Sequence, residues 1–297
     1  MNIQWYPGHM TKARRKMEAD IKLVDAVIEL RDARCPRATE NPDLKKMIGN
    51  RQRLILLNKA DLADSTVTKA WIEHFRETGI KAVSIDSRGR DSIDRVRKAL
   101  DELTEAKRQR ESARGITGKR AVKAMICGIP NVGKSTFINS MAGKASAKTG
   151  NKPGVTKGNQ WININNDMLL LDTPGVLWPR FDDEETALCL AEIGSVNDQI
   201  INLEELSVRL IDRLLADYRQ ALFDRYSITQ EEFEKKTAEQ DSRILGISAS
   251  ALAVLDIISF RRGCIRKGAE PDYSRSSRLL IDEFRSGRLG RISLQKP

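Results

Sequence analysis

Hydrophobic residues fall into six short runs before residue 172. They occupy residues 24–30, 54–57, 82–85, 124–127, 161–164 and 168–171. Runs of this length, bounded by polar residues, predict fully buried strands. Between them, residues 61–78 and 91–110 place apolar side chains three and four positions apart, which predicts amphipathic helices. Residues 105–120 read as the most polar connector. Alternating strand and helix predicts an α/β fold: a mostly parallel sheet with helices on both faces. Beyond about residue 180 the strand pattern stops. Residues 203–222 and 249–260 predict two further helices, so the chain divides into an α/β domain over 1–180 and an all-α domain over 181–297. No internal repeat interrupts this plan.

The fourth break in the pattern carries the strongest chemical signal. The run ending at Cys127 leads into Gly128-Ile129-Pro130-Asn131-Val132-Gly133-Lys134-Ser135, and a predicted helix follows over 135–142. Glycines at these spacings let backbone N–H groups wrap a phosphate, and the helix N-terminus adds partial positive charge. Asn131, Val132, Gly133, Lys134, Ser135 and Thr136 are therefore phosphate-binding candidates. Lys134 reaches the β- and γ-phosphates, and the Ser135 hydroxyl suits Mg²⁺. The run ending at Leu171 leads into Asp172-Thr173-Pro174-Gly175. Here Asp172 suits Mg²⁺ through water, and the Gly175 N–H suits the γ-phosphate. Between the two, Thr156 in Lys152-Pro153-Gly154-Val155-Thr156 is either a second hydroxyl ligand for Mg²⁺ or an ordinary loop residue.

The run ending at Leu57 leads into Asn58-Lys59-Ala60-Asp61. An aspartate at this position can accept from the N1–H and the 2-amino group of guanine, a donor pair that adenine lacks. The Lys59 stem can lie along a base, and Asn58 can tie the loop to the phosphate loop. Ser84, in the third run, is a further candidate for the base pocket. Together the motifs favour GTP and GDP over adenine nucleotides.

In most GTPases the guanine motif follows the phosphate motifs, whereas here it precedes them. A circular permutation accounts for this without disturbing the site, because a sheet tolerates relocation of its chain ends. This order, together with Trp5-Tyr6-Pro7-Gly8-His9-Met10, Asp32-Ala33-Arg34 and Pro153-Gly154-Val155-Thr156, closely resembles the circularly permuted ribosome-assembly GTPases. The resemblance covers essentially the whole chain. It implies a permuted P-loop GTPase sheet that hydrolyses GTP to GDP and phosphate with ribosomal stimulation. It also implies action on a late large ribosomal subunit precursor, with the helical domain on its rRNA. Related potassium-activated GTPases carry an asparagine at the place of Asn131, so Asn131 either ligates K⁺ or only shapes its loop. The resemblance points to His9 as a catalytic group. Val176 and Leu177, after the Asp172–Gly175 motif, cannot orient a water, which agrees with a group elsewhere. His9 has two competing roles, capping a helix near Met10 or contacting RNA with Lys12, Arg14 and Arg15.

Charge sharpens the partner expectation. The formal net charge is +10, yet residues 261–297 carry net +6 and residues 180–243 net −8. Basic ends around an acidic middle suit a polyanion met by particular surfaces. Arg261, Arg262, Arg266, Lys267, Arg275 and Arg278 are the RNA-contact candidates, and nothing suggests DNA. No apolar run approaches the length of a membrane span, and the first residues lack the pattern of a secretory signal. Cys35, Cys127, Cys189 and Cys264 are widely spaced, which argues against a zinc site. A cytoplasmic protein with buried thiols is expected.

Overall fold

The computed structural model describes residues 15–49, 51–113, 121–143, 160–165, 168–173, 183–240 and 248–297. The chain divides into two compact units, Met1–Leu190 with Gln295–Pro297, and Ala191–Leu294.

The first unit is built on six strands: β1 (Ala26–Asp32), β2 (Gln52–Asn58), β3 (Lys81–Ser84), β4 (Val122–Cys127), β5 (Gln160–Asn165) and β6 (Met168–Asp172). They form one sheet in the order β3-β2-β1-β4-β6-β5. Every neighbouring pair is parallel except β5 and β6. All seven β1 residues are buried, so both faces of the sheet are covered at its centre.

Helices supply that cover: α1 (residues 15–21), α2 (Leu44–Ile48), α3 (Ser65–Glu77), α4 (Arg90–Ala113) and α5 (Lys134–Ala142). Met17 and Ile21 of α1 and Leu44 and Ile48 of α2 pack with Val27, Met125, Cys127 and Leu171. Trp71 and Phe75 of α3 pack with Ile55 and Leu57. Helix α4 packs on β1, β2 and β3, and α5 on β5 and β6.

Two boundaries differ from the sequence expectation. The helix expected over 61–78 begins at Ser65, because Asp64 caps it by accepting from Thr66 N and Val67 N. This leaves Asp61 in the preceding loop. Helix α4 runs on to Ala113, into the segment read as a connector.

One buried charge network stiffens β1. Glu29 accepts from Arg31 Nη2 at 3.1 Å, from Arg53 Nη2 at 2.5 Å and from Asn41 N at 3.1 Å. Burial alone would raise its carboxyl pKa, but the Arg31 and Arg53 guanidiniums outweigh that and hold it below its ordinary 4.5. Glu40 also pairs with Arg31 and Arg53.

The second unit contains α7 (Leu203–Asp217), α8 (Arg219–Tyr226), α9 (Gln230–Glu239), α10 (Ala249–Arg261) and α11 (Tyr273–Arg285); α6 (Glu184–Glu192) precedes them. The single helix expected over 203–222 is two helices. Tyr218 leaves helical geometry at φ −137° and ψ 33°. Its hydroxyl accepts from Ser293 N, a tertiary bond that overrides local propensity. Helix α10 is buried nearly all round and packs against α7, α9 and α11. Buried Glu283 gathers Arg225 and the Tyr226 hydroxyl, and Arg285 grips Asp198 with two nitrogens at 2.8 Å.

Glu29→Ala leaves buried Arg31 and part-buried Arg53 without their main counter-charge, and should cost about 3 kcal/mol in denaturant unfolding. A carboxyl held low in the folded state stabilises above its unfolded pKa. That contribution should be intact at neutral pH and decline as pH falls below about 4.5. The variant should lose that part of the acid sensitivity.

Candidate functional site

Strands β1, β2 and β4 are parallel, so their carboxyl ends lie along one edge of the sheet. The strand order reverses between β1 and β4, and ligands in such sheets bind in the crevice above the reversal. The guanine-type loop leaves β2 and the phosphate-type loop leaves β4, with only β1 between them. At about 4.8 Å per neighbouring strand, the two loops start roughly 10 Å apart, a distance that a nucleoside diphosphate spans.

The phosphate loop is shaped by three left-handed residues, Gly128 (φ 151°), Asn131 (φ 63°) and Gly133 (φ 97°). A Cβ on Gly133 would meet Asn58 Nδ2 at 2.3 Å. Gly133 caps α5 without any side-chain hydrogen bond, and the unpaired amides of a helix's first turn suit an anion. Lys134 is buried, and its Nζ donates to Gly128 O at 2.9 Å and Ile129 O at 2.8 Å. Burial pushes its pKa down to about 8, opposed by the charge of Asp172. An arriving phosphate would add to the counter-charge that Asp172 already gives this ammonium. Asp172 ends β6, buried and paired in register with Ile126 of β4. Beside it the Thr173 hydroxyl donates to Ile126 O. Val132, Ser135 and Thr136 complete the loop and the first turn of α5.

The base loop is fixed to the phosphate loop through Asn58. Its Nδ2 donates to Val132 O at 2.7 Å, and its Oδ1 accepts from Ser87 N at 3.0 Å and Ser87 Oγ at 2.7 Å. Lys59 adopts φ 58°, and its Nζ lies 3.1 Å from Asp32 Oδ2. Asp32 in turn takes Arg34 through two nitrogens at 2.9 and 2.8 Å. Burial works against the Asp32 charge, but Arg34 and Lys59 hold its carboxyl well below the usual range. Ala60 N donates to Ile85 O at 3.1 Å, which joins this loop to the end of β3. Asp61 lies at the loop's end, paired with Arg88 at 2.6 Å.

The structure therefore brings Asn58, Lys59, Asp61, Asn131–Ser135, Thr136 and Asp172 to one edge of one sheet. Ser84 is the last residue of β3, paired in register with Leu57. The hydroxyl that meets Asn58 belongs to Ser87. Sequence reasoning did not single out Ser87, which lies three residues past the end of β3. Arg88 was missed as well, and only its place two residues beyond a strand-end carboxylate could have flagged it. His9, Thr156 and Gly175 lie outside the described residues. Among the described residues no group of three or more His, Cys, Asp or Glu side chains could hold a metal.

The basic candidates all lie in the second unit and differ in freedom. Arg262 is tied down: it covers the Tyr226 ring, donates to Arg225 O and approaches Glu283. Arg261 pairs with Glu232, Arg266 with Asp272 at 3.5 Å, and Arg275 donates to Gly263 O. Arg266 and Lys267 lie in an exposed loop closed by a bridge between Ile265 and Pro271. Arg278 is exposed on α11.

Comparison with known proteins points the same way. Residues 123–249 match the family described as 50S ribosome-binding GTPase. The chain is similar to Ribosome biogenesis GTPase A of Priestia megaterium, with 40% identity over 297 residues spanning 100% of this chain and 98% of the relative. It is similar to the protein of that name from Thermotoga maritima, with 33% identity over 295 residues spanning 99% and 95%. Among solved structures, the GDP-bound structure of TM YlqF matches at a TM-score of 0.64 and 26% identity, covering 95% of this chain and 99% of that one.

Gly133→Ala should weaken GDP binding at least about tenfold, because the left-handed backbone and the crowding of Asn58 both oppose a Cβ. Isothermal titration reads this, and an unchanged far-ultraviolet circular dichroism spectrum separates it from unfolding.

Proposed function

Since the chain belongs to the ribosome biogenesis GTPase A family, we propose that it binds a large ribosomal subunit precursor and couples GTP hydrolysis to that particle's late maturation. The observation that carries the nucleotide part of this reading is Asn58, which joins a guanine-type loop to a phosphate-type loop. The ribosomal part is supported by the relatives' names and by the family description of residues 123–249.

In this reading Asp61 accepts from the N1–H and 2-amino group of guanine, and Lys59 lies along the base. The amides of Asn131–Thr136 wrap the phosphates, and Lys134 transfers its Nζ from the Gly128 and Ile129 carbonyls to phosphate oxygens. GTPases of this type use Mg²⁺, a hard cation that takes few protein oxygens beside phosphate and water. The Ser135 hydroxyl and the buried Asp172 carboxylate fit that demand, with Thr156 as a further ligand. When bound, Mg²⁺ neutralises charge that develops on the transferred phosphoryl group. Asn131 is proposed to hold K⁺ beside the phosphates, and the Gly175 N–H to meet the γ-phosphate.

The proposed water-orienting group is His9, acting when the ribosomal particle positions it. Arg261, Arg266, Lys267, Arg275 and Arg278 contact rRNA phosphates, while Arg262 supports that surface through Tyr226 and Glu283. In sequence, the residues after Asp172–Gly175 run directly through Trp178-Pro179-Arg180 toward the second unit. Loss of the γ-phosphate at Gly175 would thus pull on the connection itself. Among the described residues no helix is long and apolar enough to cross a membrane. We place the protein in the cytoplasm with its ribosomal partner.

Large-subunit precursors should cosediment with the protein in the presence of a non-hydrolysable GTP analogue and release it with GDP. Phosphate contacts should make that binding fall steeply with salt. Equal cosedimentation in both nucleotides would overturn the coupling.

His9→Ala should lose particle-stimulated turnover while keeping GTP affinity and particle binding. If turnover falls only as far as particle binding falls, His9 is an RNA contact and another group orients the water.

A further inference from the structure

The carboxylate read as the guanine acceptor is already engaged by an arginine. Arg88 Nη2 lies 2.6 Å from Asp61 Oδ2 and 2.9 Å from Asp86 Oδ2. The same arginine is anchored on Asp86 twice more, through Nε to Oδ1 at 2.9 Å and through its backbone N to Oδ1 at 2.9 Å. Asp86 N donates to Ser92 Oγ at the start of α4, and Gly89 N donates to Asp86 O. The neighbouring Ser87 holds Asn58. The short segment from Asp86 to Gly89 therefore grips the base loop at two points. Ser87 fixes Asn58, and Arg88 fixes Asp61.

Two carboxylates, Asp61 and Asp86, lie within one guanidinium's width of each other. Without Arg88 their like charges would turn the Asp61 carboxylate away from its partner. With Arg88 in place, one lone pair of Oδ2 is taken. An ionised carboxylate offers about four acceptor sites, so both oxygens can still accept from a base edge. Arg88 is thus compatible with a bound guanine and anchors one oxygen of the Asp61 carboxylate.

We propose that Arg88 is a positioning residue for guanine selectivity. By clamping Asp61 against Asp86, it aligns the carboxylate for a base that offers both an N1–H and a 2-amino group. This rests on the reading of Asp61 as the guanine acceptor. The planar guanidinium holds Asp86 through Nε and Nη2 while Nη2 also reaches Asp61, a geometry that lysine cannot reproduce.

The test measures affinities for GDP, IDP and XDP in the full chain carrying Arg88→Ala, Arg88→Lys or Asp61→Asn. IDP lacks the 2-amino group. Because the pair is exposed to solvent, Arg88→Ala should weaken GDP binding about fivefold. IDP binding should fall less, so that the GDP-to-IDP preference drops about threefold. Arg88→Lys should restore part of the GDP affinity and leave the preference low. Raised salt should shrink the gap between wild type and Arg88→Ala. A parallel fall for GDP and IDP would make Arg88 merely structural and overturn the proposal. Tighter GDP binding by Arg88→Ala would also overturn it, by showing that the arginine occupies the place of the base. Asp61→Asn should shift preference toward XDP. If it does so while Arg88→Ala leaves the preference unchanged, only this inference fails. If it does not, the reading of Asp61 falls and this inference falls with it.

Discussion

The amide of Asn58 is the interaction on which the site depends. Its nitrogen and oxygen bond in opposite directions, one to the phosphate loop at Val132 and the other to Ser87 beyond β3. Three loops separated by up to 74 residues are thereby held in one register. The constraint reaches outward. Gly133 must lack a Cβ because Asn58 fills that space, and Gly128 must lack one because Leu30 O lies 2.6 Å from where it would stand. The sheet supplies the frame for this arrangement, since buried β1 sets the spacing between the loops that leave β2 and β4.

Charge around this frame is arranged in pairs before any ligand arrives. Asp32 holds Lys59 and Arg34, Glu29 holds Arg31 and Arg53, and Lys134 rests on the carbonyls of its own loop. The pairs differ in consequence. Those on β1 have fixed charged partners, so they orient and stabilise. Lys134 is a buried cation whose pKa burial pushes down to about 8 and whose present partners are neutral oxygens. A further anion beside it would favour its charged form, which suits the phosphate-binding role proposed for this loop.

Much of this was legible in the chain because the relevant signals are local. All six strands announce themselves as apolar runs, and each loop of the site follows one of those runs directly. The circular permutation was equally visible, since it is a statement about order. What was hidden depends on tertiary bonds. Tyr218 interrupts a continuous amphipathic pattern because its hydroxyl meets Ser293, far along the chain. Helix α3 starts four residues past Asp61 because Asp64 takes the cap. Ser87 and Arg88 follow a strand without any motif around them, and only the folded sheet shows that they touch Asn58 and Asp61. Arg262 looked like any other residue of a basic run, yet the fold spends it on Tyr226 and Glu283.

The central claim is that three sequence-distant loops act as one site because Asn58 joins them through Val132 and Ser87. A double-mutant cycle in GDP affinity tests it most directly, using Asn58→Ala, Ser87→Ala and the pair together. Among the described residues the Ser87 hydroxyl meets only Asn58. Each single change should therefore weaken binding, and Ser87→Ala should cost nothing further once Asn58 is gone. Losses that simply add would show that the two residues act independently and would contradict the account.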